Sequence, residues 1–184
     1  EVGQPQTRSA VGAVNVADWQ RMNESFTTIG TFRSWRATLS GIDLPQSLLG
    51  ARISHEYASA LGIQALYGRP LGPEDDVVGA PNRVMLGYGT WQRHFGGERE
   101  ILGKHVRLNG RDWEVVGILE PGFSMPRRAQ TGVLAALRLD LSLTNQGSYN
   151  LNALARLRPG VSLEAARADM RRIDESLEAE YPGT

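Results

Sequence analysis

Residues 83–123 read RVMLGYGTWQRHFGGEREILGKHVRLNGRDWEVVGILEPGF. Arg83 to Tyr88 is a short apolar run between Pro81 and Gly89, the pattern of a buried strand, and Thr90 to Phe95 fits a brief helix stopped by Gly96 and Gly97. Val106 and Leu108 then alternate into Asn109-Gly110. Both central residues of a type I′ turn need positive φ, and Asn-Gly supplies them most readily, so this pair predicts a β-hairpin. The return strand continues with one of two inward sets: Trp113, Val115 and Gly117, or Val116 and Ile118.

Upstream, residues 1–13 show no clear period and read as a flexible lead-in. Asn15 is placed to cap a helix through VADWQRMNES, with Val16, Trp19, Met22 and Phe26 on its apolar stripe. Thr31 to Leu39 alternates, with Trp35, Ala37 and Leu39 on one face. Ser47 to Ser54 repeats the pattern with Leu49, Ala51 and Ile53 inward, so the two segments are expected to pair antiparallel. Ser54 caps the short helix HEYASAL, and Gly62 provides its left-handed stop. GRPLGPEDDVVGAPN reads as an irregular connection with a sublobe boundary near Ala80.

Downstream, Val133 to Leu137 fits a short strand and Leu143 to Tyr149 a loop. Leu151, Ala153, Ala155 and Leu157 alternate up to the turn at Pro159-Gly160. Ser162 then caps a terminal helix with Leu163, Ala166, Met170, Ile173 and Leu177 on one stripe and an Arg171–Glu175 pair on the solvent side. The sum is an α+β architecture.

Bulk properties narrow the function classes. A chain of 184 residues buries roughly 70% of its unfolded surface on folding, enough for a core without staples. Twenty basic residues balance twenty acidic ones, so the net field gives no reason to expect nucleic acid or an anionic lipid surface as a partner, which leaves only local patches. Cysteine is absent, which removes disulfides and thiolate chemistry. No run approaches the ~18 apolar residues of a spanning helix. The start carries neither Met nor a signal pattern, and the chain reads as a piece of a longer protein.

Reactive constellations do not emerge. His55, His94 and His105 stand far apart, and none has a second ligand at i+4 spacing, so cap and surface roles are expected and no metal site is assigned. Gly97 to Lys104 has five residues between its glycines where a phosphate loop needs four, and His105 stands where the hydroxyl should be. Gly87-Tyr88-Gly89 lacks the third dinucleotide glycine. No Gly-x-Ser-x-Gly elbow occurs. Glu74, Asp75 and Asp76 are read as solvated or helix-starting, not as a calcium loop. Arg127, Arg128 and Arg138 make at most a basic spot, and Trp19, Trp35, Trp91 and Trp113 read as core packing. No catalytic residue, cofactor or metal is assigned, and the chain is not expected to be an enzyme.

Four segments in order, NVADWQRMNESFTTIGTF, LLGARISHEYASALGIQALYGRPLGPEDD, the stretch 83–123 and ARLRPGVSLEAARADM, resemble the MacB-like periplasmic core domain of ABC transporter permeases of the FtsX-related class. After Gly122-Phe123 the resemblance weakens. The family commonly shows an Asp-Leu-Trp-Val-Pro-like strand there, and this chain has Thr131 to Leu137. The resemblance implies a two-lobed body. Residues 14–79 plus 133–184 would form a porter-like sheet-and-helix lobe, and residues 80–132 a smaller inserted mixed α/β lobe. It further implies a domain between two transmembrane helices on the periplasmic or extracellular side of a bacterial cytoplasmic membrane. Its implied partners are a second permease copy in a dimer, a cytoplasmic ATPase subunit or domain, and a periplasmic adaptor or lipoprotein. The expected role is to couple ATP-driven motion to export or to a periplasmic partner. The alternative is a cargo- or lipoprotein-binding receptor module of the same complex, and a hydrolase is a distant third.

Overall fold

A computed structural model describes residues 12–126, 130–140 and 151–180. Residues 1–11 of the expected lead-in, the Leu143–Tyr149 loop, Arg127 and Arg128 lie outside them. Helix α1 (Ala13–Met22) leads into strands β1 (Phe26–Ser40) and β2 (Gln46–Ile53), helix α2 (His55–Leu61) and strand β3 (Ala65–Gly68). After a 3₁₀ turn at Pro73–Asp75 come β4 (Arg83–Leu86), α3 (Tyr88–Phe95), β5 (His105–Leu108), β6 (Arg111–Leu119), β7 (Val133–Ala136), β8 (Asn152–Leu157) and α4 (Leu163–Glu180).

All eight strands belong to one mixed sheet, and six of them close on themselves. β1 pairs with β2, β2 with β7, β7 with β4, β4 with β6, β6 with β5, and β5 again with β1. Every strand of this ring sends residues to one apolar cluster: Ala37 and Leu39, Leu48, Val133 and Ala135, Val84 and Leu86, Trp113 and Val115, Val106 and Leu108. A cluster fed by all members of a closed ring is its interior, packed with side chains as in small barrels generally. Trp91 of α3 joins the same cluster, and its Nε1 donates to the Glu98 carbonyl at 2.9 Å.

The ring is narrowest in hydrogen bonds where β5 meets β1, with only Leu39 opposite Leu108 and Ser40 opposite Arg107. Asn109 extends that seam. Its φ of 50°, followed by 75° at Gly110, forms the anticipated hairpin turn. Its backbone N–H donates to the Thr38 carbonyl (2.9 Å), its Oδ1 accepts from the Thr38 N–H (2.8 Å), and its Nδ2 donates to the Arg36 carbonyl (3.3 Å). The side-chain amide thus continues the ladder as a further peptide unit would.

The outer face of the ring carries a second cluster, in which Tyr57, Ala58, Ile63 and Leu71 cover Ala51, Ile53, Met85, Leu119 and Leu134. α2 starts at the expected cap, with Ser54 Oγ accepting from the Tyr57 N–H at 3.3 Å, and stops at Gly62 with φ 65°. It crosses β1 at Gly30, where any Cβ would collide with the Tyr57 amide nitrogen. The first part of β1 lies outside the ring and pairs with β8 from Phe26 to Phe32. α1 and α4 touch each other beside it. Asp169 of α4 accepts from the Glu24 and Ser25 amides at 2.8 and 2.9 Å, which ties α4 to the root of β1.

Several local expectations shift. α1 is capped by the Gly12 backbone, and Asn15 falls inside its first turn, because a side-chain cap worth about 1 kcal/mol does not fix a helix start against packing. Phe26 opens β1 and is not part of the helix stripe. Asn23 ends the helix by donating to the Trp19 and Gln20 carbonyls and accepting from the Phe26 N–H. Leu49 shares the outer face with Ala51 and Ile53 but is 47% exposed, beyond the reach of the covering layer, whereas Leu48 points into the ring. A bulge between Val115 and Gly117 reconciles the two readings of the return strand, since Trp113 and Val115 face inward before it and Ile118 after it. Leu163 is exposed, so the α4 stripe begins at Ala166. Among the described residues the Arg171–Glu175 pair is not formed, and Arg172 reaches Asp169 at 2.7 Å instead. β3 was not anticipated. The sheet is continuous across residues 80 and 132, through β3 with β6, β5 with β1 and β4 with β7.

The seam gives a direct test by urea denaturation. Asn109→Gly, which keeps the left-handed backbone but removes both side-chain links, is expected to lose about 1 kcal/mol. Asn109→Ala, which adds left-handed strain, is expected to lose about 2 kcal/mol.

Candidate functional site

The acidic trio proves to be the electrostatic centre of the described residues. Asp75 is fully buried at the end of the 3₁₀ turn, where Pro73 fixes the first helical residue and Asp75 Oδ2 accepts from the Gly72 N–H at 2.9 Å. Arg69 reaches both its oxygens (2.6 and 3.0 Å), and Arg83 of β4 reaches Oδ1 at 3.0 Å while holding Glu114 of β6 at 3.1 Å. Burial alone would raise the Asp75 pKa. The hydrogen bonds from Arg69, Gly72 and Arg83 outweigh it and bring the group from 3.8 to about 2.

Asp76 takes a different part. Its Oδ2 accepts from the His55 N–H at 2.9 Å, which supports the start of α2, and its Oδ1 accepts from the Arg138 N–H at 2.7 Å. The Arg138 side chain donates to the carbonyls of Asp75 (3.0 Å) and Pro81 and to Asn82 Oδ1 (3.1 Å), so the chain leaving β7 is pinned to the same loop. The Arg138 pKa is lowered, by burial first and by the neighbouring Arg83, and Asp75 and Asp76 oppose the shift without reversing it. Helix-start duty therefore holds for Asp75 and Asp76. Solvation describes only Glu74, whose exposed carboxylate pairs with Arg69 at 3.1 Å.

The other candidates scatter. His55 comes beside Asp76, a neighbour 21 residues away that no sequence spacing signals. Its Nδ1 lies 3.5 Å from Asp76 and its Nε2 3.3 Å from Glu56. Ligand atoms of these three residues lie within 4.8 Å of one another, yet the two ring nitrogens face different carboxylates, an arrangement that clasps a helix end more naturally than it coordinates one ion. His94 lies in α3 and His105 opens β5, apart from this group. Gly87-Tyr88-Gly89 starts α3, and residues 97–104 form a turn in which Arg99 lies 3.8 Å above the Tyr67 ring. Trp91 and Trp113 are core residues as anticipated, and Trp35 packs partly buried against the interior cluster.

A cleft of about 790 Å³ opens between the β2 start, the α3 start, residues 120–123 and residues 130–132. Leu48, Tyr88 and Phe123 give it an apolar side, and Arg93, Glu120 and Gln130 a polar one. No arrangement of nucleophile, base and orienting acid accompanies it among the described residues.

This body, a packed strand ring with an outer strand pair and flanking helices, is the fold of the extracytoplasmic domains of ABC-type transporters and permeases. The extracellular domain of the noncanonical ABC-type transporter YknZ from Gram-positive bacteria superposes with a TM-score of 0.70 at 12% identity, covering 95% of this chain and 86% of that one. The periplasmic region of MacB from Actinobacillus actinomycetemcomitans gives 0.67 at 18% identity, with 95% and 76% covered. A permease domain from Porphyromonas gingivalis gives 0.67 at 14%, with 92% and 72% covered. No curated protein is significantly similar in sequence. The chain belongs to the MacB-like periplasmic core domain family, which it matches over residues 3–173. It is the periplasmic core domain of a MacB-like ABC transporter permease, on the extracytoplasmic side of the membrane. Among the described residues no helix is long and apolar enough to cross a membrane.

A carboxyl group depressed from 3.8 to about 2 in the folded state contributes stability that is present above about pH 4 and lost as the pH falls toward 2. Asp75→Asn is expected to cost about 2 kcal/mol at pH 7 by urea denaturation. It should also flatten the decline of stability between pH 4 and pH 2 relative to the parent.

Proposed function

We propose that this domain relays ATP-driven motion of the permease to the space outside the membrane, and that it works as a mechanical element and not as a catalyst. The observation that carries the reading is β1. Its 15 residues span roughly 50 Å if fully extended, and it belongs to two structures at once. At its root it pairs with β8, near α1 and α4, the first and last elements described. At its far end it is a stave of the closed ring. Displacement of α1 and α4 would pass along this strand into a ring whose packed interior deforms little. In the parent permease both ends would be drawn by membrane helices, with a second permease copy facing this domain and an ATPase acting from the cytoplasmic side. A periplasmic adaptor or lipoprotein would receive the movement, a hinge or shear transition of the usual kind. The inserted segment 80–132 would then move with the ring.

A second reading, capture of cargo or of a lipoprotein, is favoured by the cleft between β2 and α3, whose volume lies in the range of ligand sites. In that case a bulky residue at Gly89, which lines the cleft and where an added Cβ meets only the flexible end of Arg93, would reduce transport without altering domain motion.

The chain has no cysteine, so introduced pairs report cleanly. In the full-length transporter, a disulfide joining the two facing domains is expected to suppress transport while oxidised and to restore it on reduction. Transport at the parent rate with the link closed would overturn the mechanical reading.

A further inference from the structure

The inner face of the ring ends at one rim in arginines. Leu48, Gly50 and Arg52 follow one another at alternate positions of β2, Arg33 precedes Trp35 and Ala37 on β1, and Arg111 precedes Trp113 and Val115 on β6, so all three arginines continue interior-facing rows. Arg33 stands directly opposite Arg52 across the β1–β2 ladder, a placement of like charges that destabilises a sheet. The Arg52 guanidinium carbon lies 5.1 Å from the Trp35 ring centroid and 5.5 Å from that of Trp113, and the two indoles are themselves in contact at 5.2 Å.

The other arginines with buried or partly buried groups are matched. Arg69 and Arg83 hold Asp75, the Arg138 guanidinium donates to the Asp75 and Pro81 carbonyls and to Asn82 Oδ1, and Arg156 donates to the Ala60 carbonyl. Arg52 is half-buried, and among the described residues it has no carboxylate or carbonyl partner, nor do Arg33 and Arg111. Burial disfavours the charge on Arg52 first, and the neighbouring charges that act on it, Arg33, Arg138 and Arg111, all add to that penalty. With twenty charges of each sign in the chain, this crowding is local placement and not an excess of base. Cation–π attraction to the indoles uses none of the guanidinium N–H groups, which are then available to receive a tetrahedral oxyanion by paired hydrogen bonds.

We propose that the rim formed by Arg33, Arg52 and Arg111 over the Trp35–Trp113 pair is a binding site for a phosphate group, carried by a lipid headgroup or by a free phosphate. The anion would supply the counter-charge that the fold omits, and Arg52 would be its central contact.

Trp35 and Trp113 make the site self-reporting. Titration of the 184-residue chain with sodium phosphate, against sodium chloride at equal ionic strength, is expected to change tryptophan emission saturably and to raise the melting temperature. Vesicles of phosphatidylcholine with and without phosphatidic acid form the second arm. A response to free phosphate and to phosphatidic acid alike supports the phosphate group as the recognised element, and a response to phosphatidic acid alone supports the headgroup as its source. Arg52→Gln is expected to weaken the response at least tenfold. Arg33→Gln, at an exposed position where folding is not at stake, is expected to weaken it about threefold while leaving the melting temperature without phosphate unchanged or higher, since it relieves repulsion. No saturable response in either arm, an equal response to chloride, or Arg33→Gln binding as the parent does would overturn the proposal.

Discussion

Closure of the strand ring at β1 and β5 is the constraint on which the rest of the domain depends. Each of the other five junctions is a ladder of three or more residue pairs, but this one has two, with Leu39 and Leu108 buried at its centre. Were it open, the interior row that includes Trp113, Val106 and Ala37 would face water along one side. The side chain of Asn109 lengthens the junction at small cost, because the same residue that makes the hairpin turn already lies beside Thr38. One amide therefore serves local geometry and long-range closure together.

A second tie acts from outside. The loop between β3 and β4 has little regular structure, yet Asp75 and Asp76 bind it to β4, to the start of α2 and to the chain leaving β7. Buried ion pairs seldom add much net stability compared with apolar packing, but a buried carboxylate holding two arginines fixes position, since any shift strands a charge. The loop buries one apolar side chain, Leu71, in the outer cluster and leaves Val77 and Val78 exposed, so these polar ties supply much of what fixes it in place.

Much of the fold was legible because the signals were local. The Asn109-Gly110 turn, the Ser54 cap, the Gly62 and Gly96 stops and the apolar run at residues 133–137 each depend on a few adjacent residues, and each sits where its chemistry requires. What escaped depends on distant partners. β3 is three half-buried residues and an exposed Gly68, without alternation, defined only by pairing with β6. Leu48 and Leu49 exchange roles because both faces of β2 are covered, so strict period two no longer identifies the inside. The Asp75 network joins residues 69, 75, 83 and 114, and nothing in their spacing announces it, although the Gly-Arg-Pro-Leu-Gly-Pro-Glu-Asp-Asp string contained two of its members. Ring closure was the least visible feature, since a two-residue ladder leaves no periodic trace.

The direction in which β1 runs has a consequence for how the domain bears load. A strand pulled along its own axis resists by sliding, so its cross-strand hydrogen bonds are strained in parallel. A strand pulled sideways yields by peeling, one bond at a time. β1 is bonded along one edge to β8 and β5 and along the other to β2, in staggered stretches. Axial tension from its root would therefore load the β8 ladder in shear and pass at Phe32, where the two ladders meet, to the β2 ladder, which is loaded in shear as well.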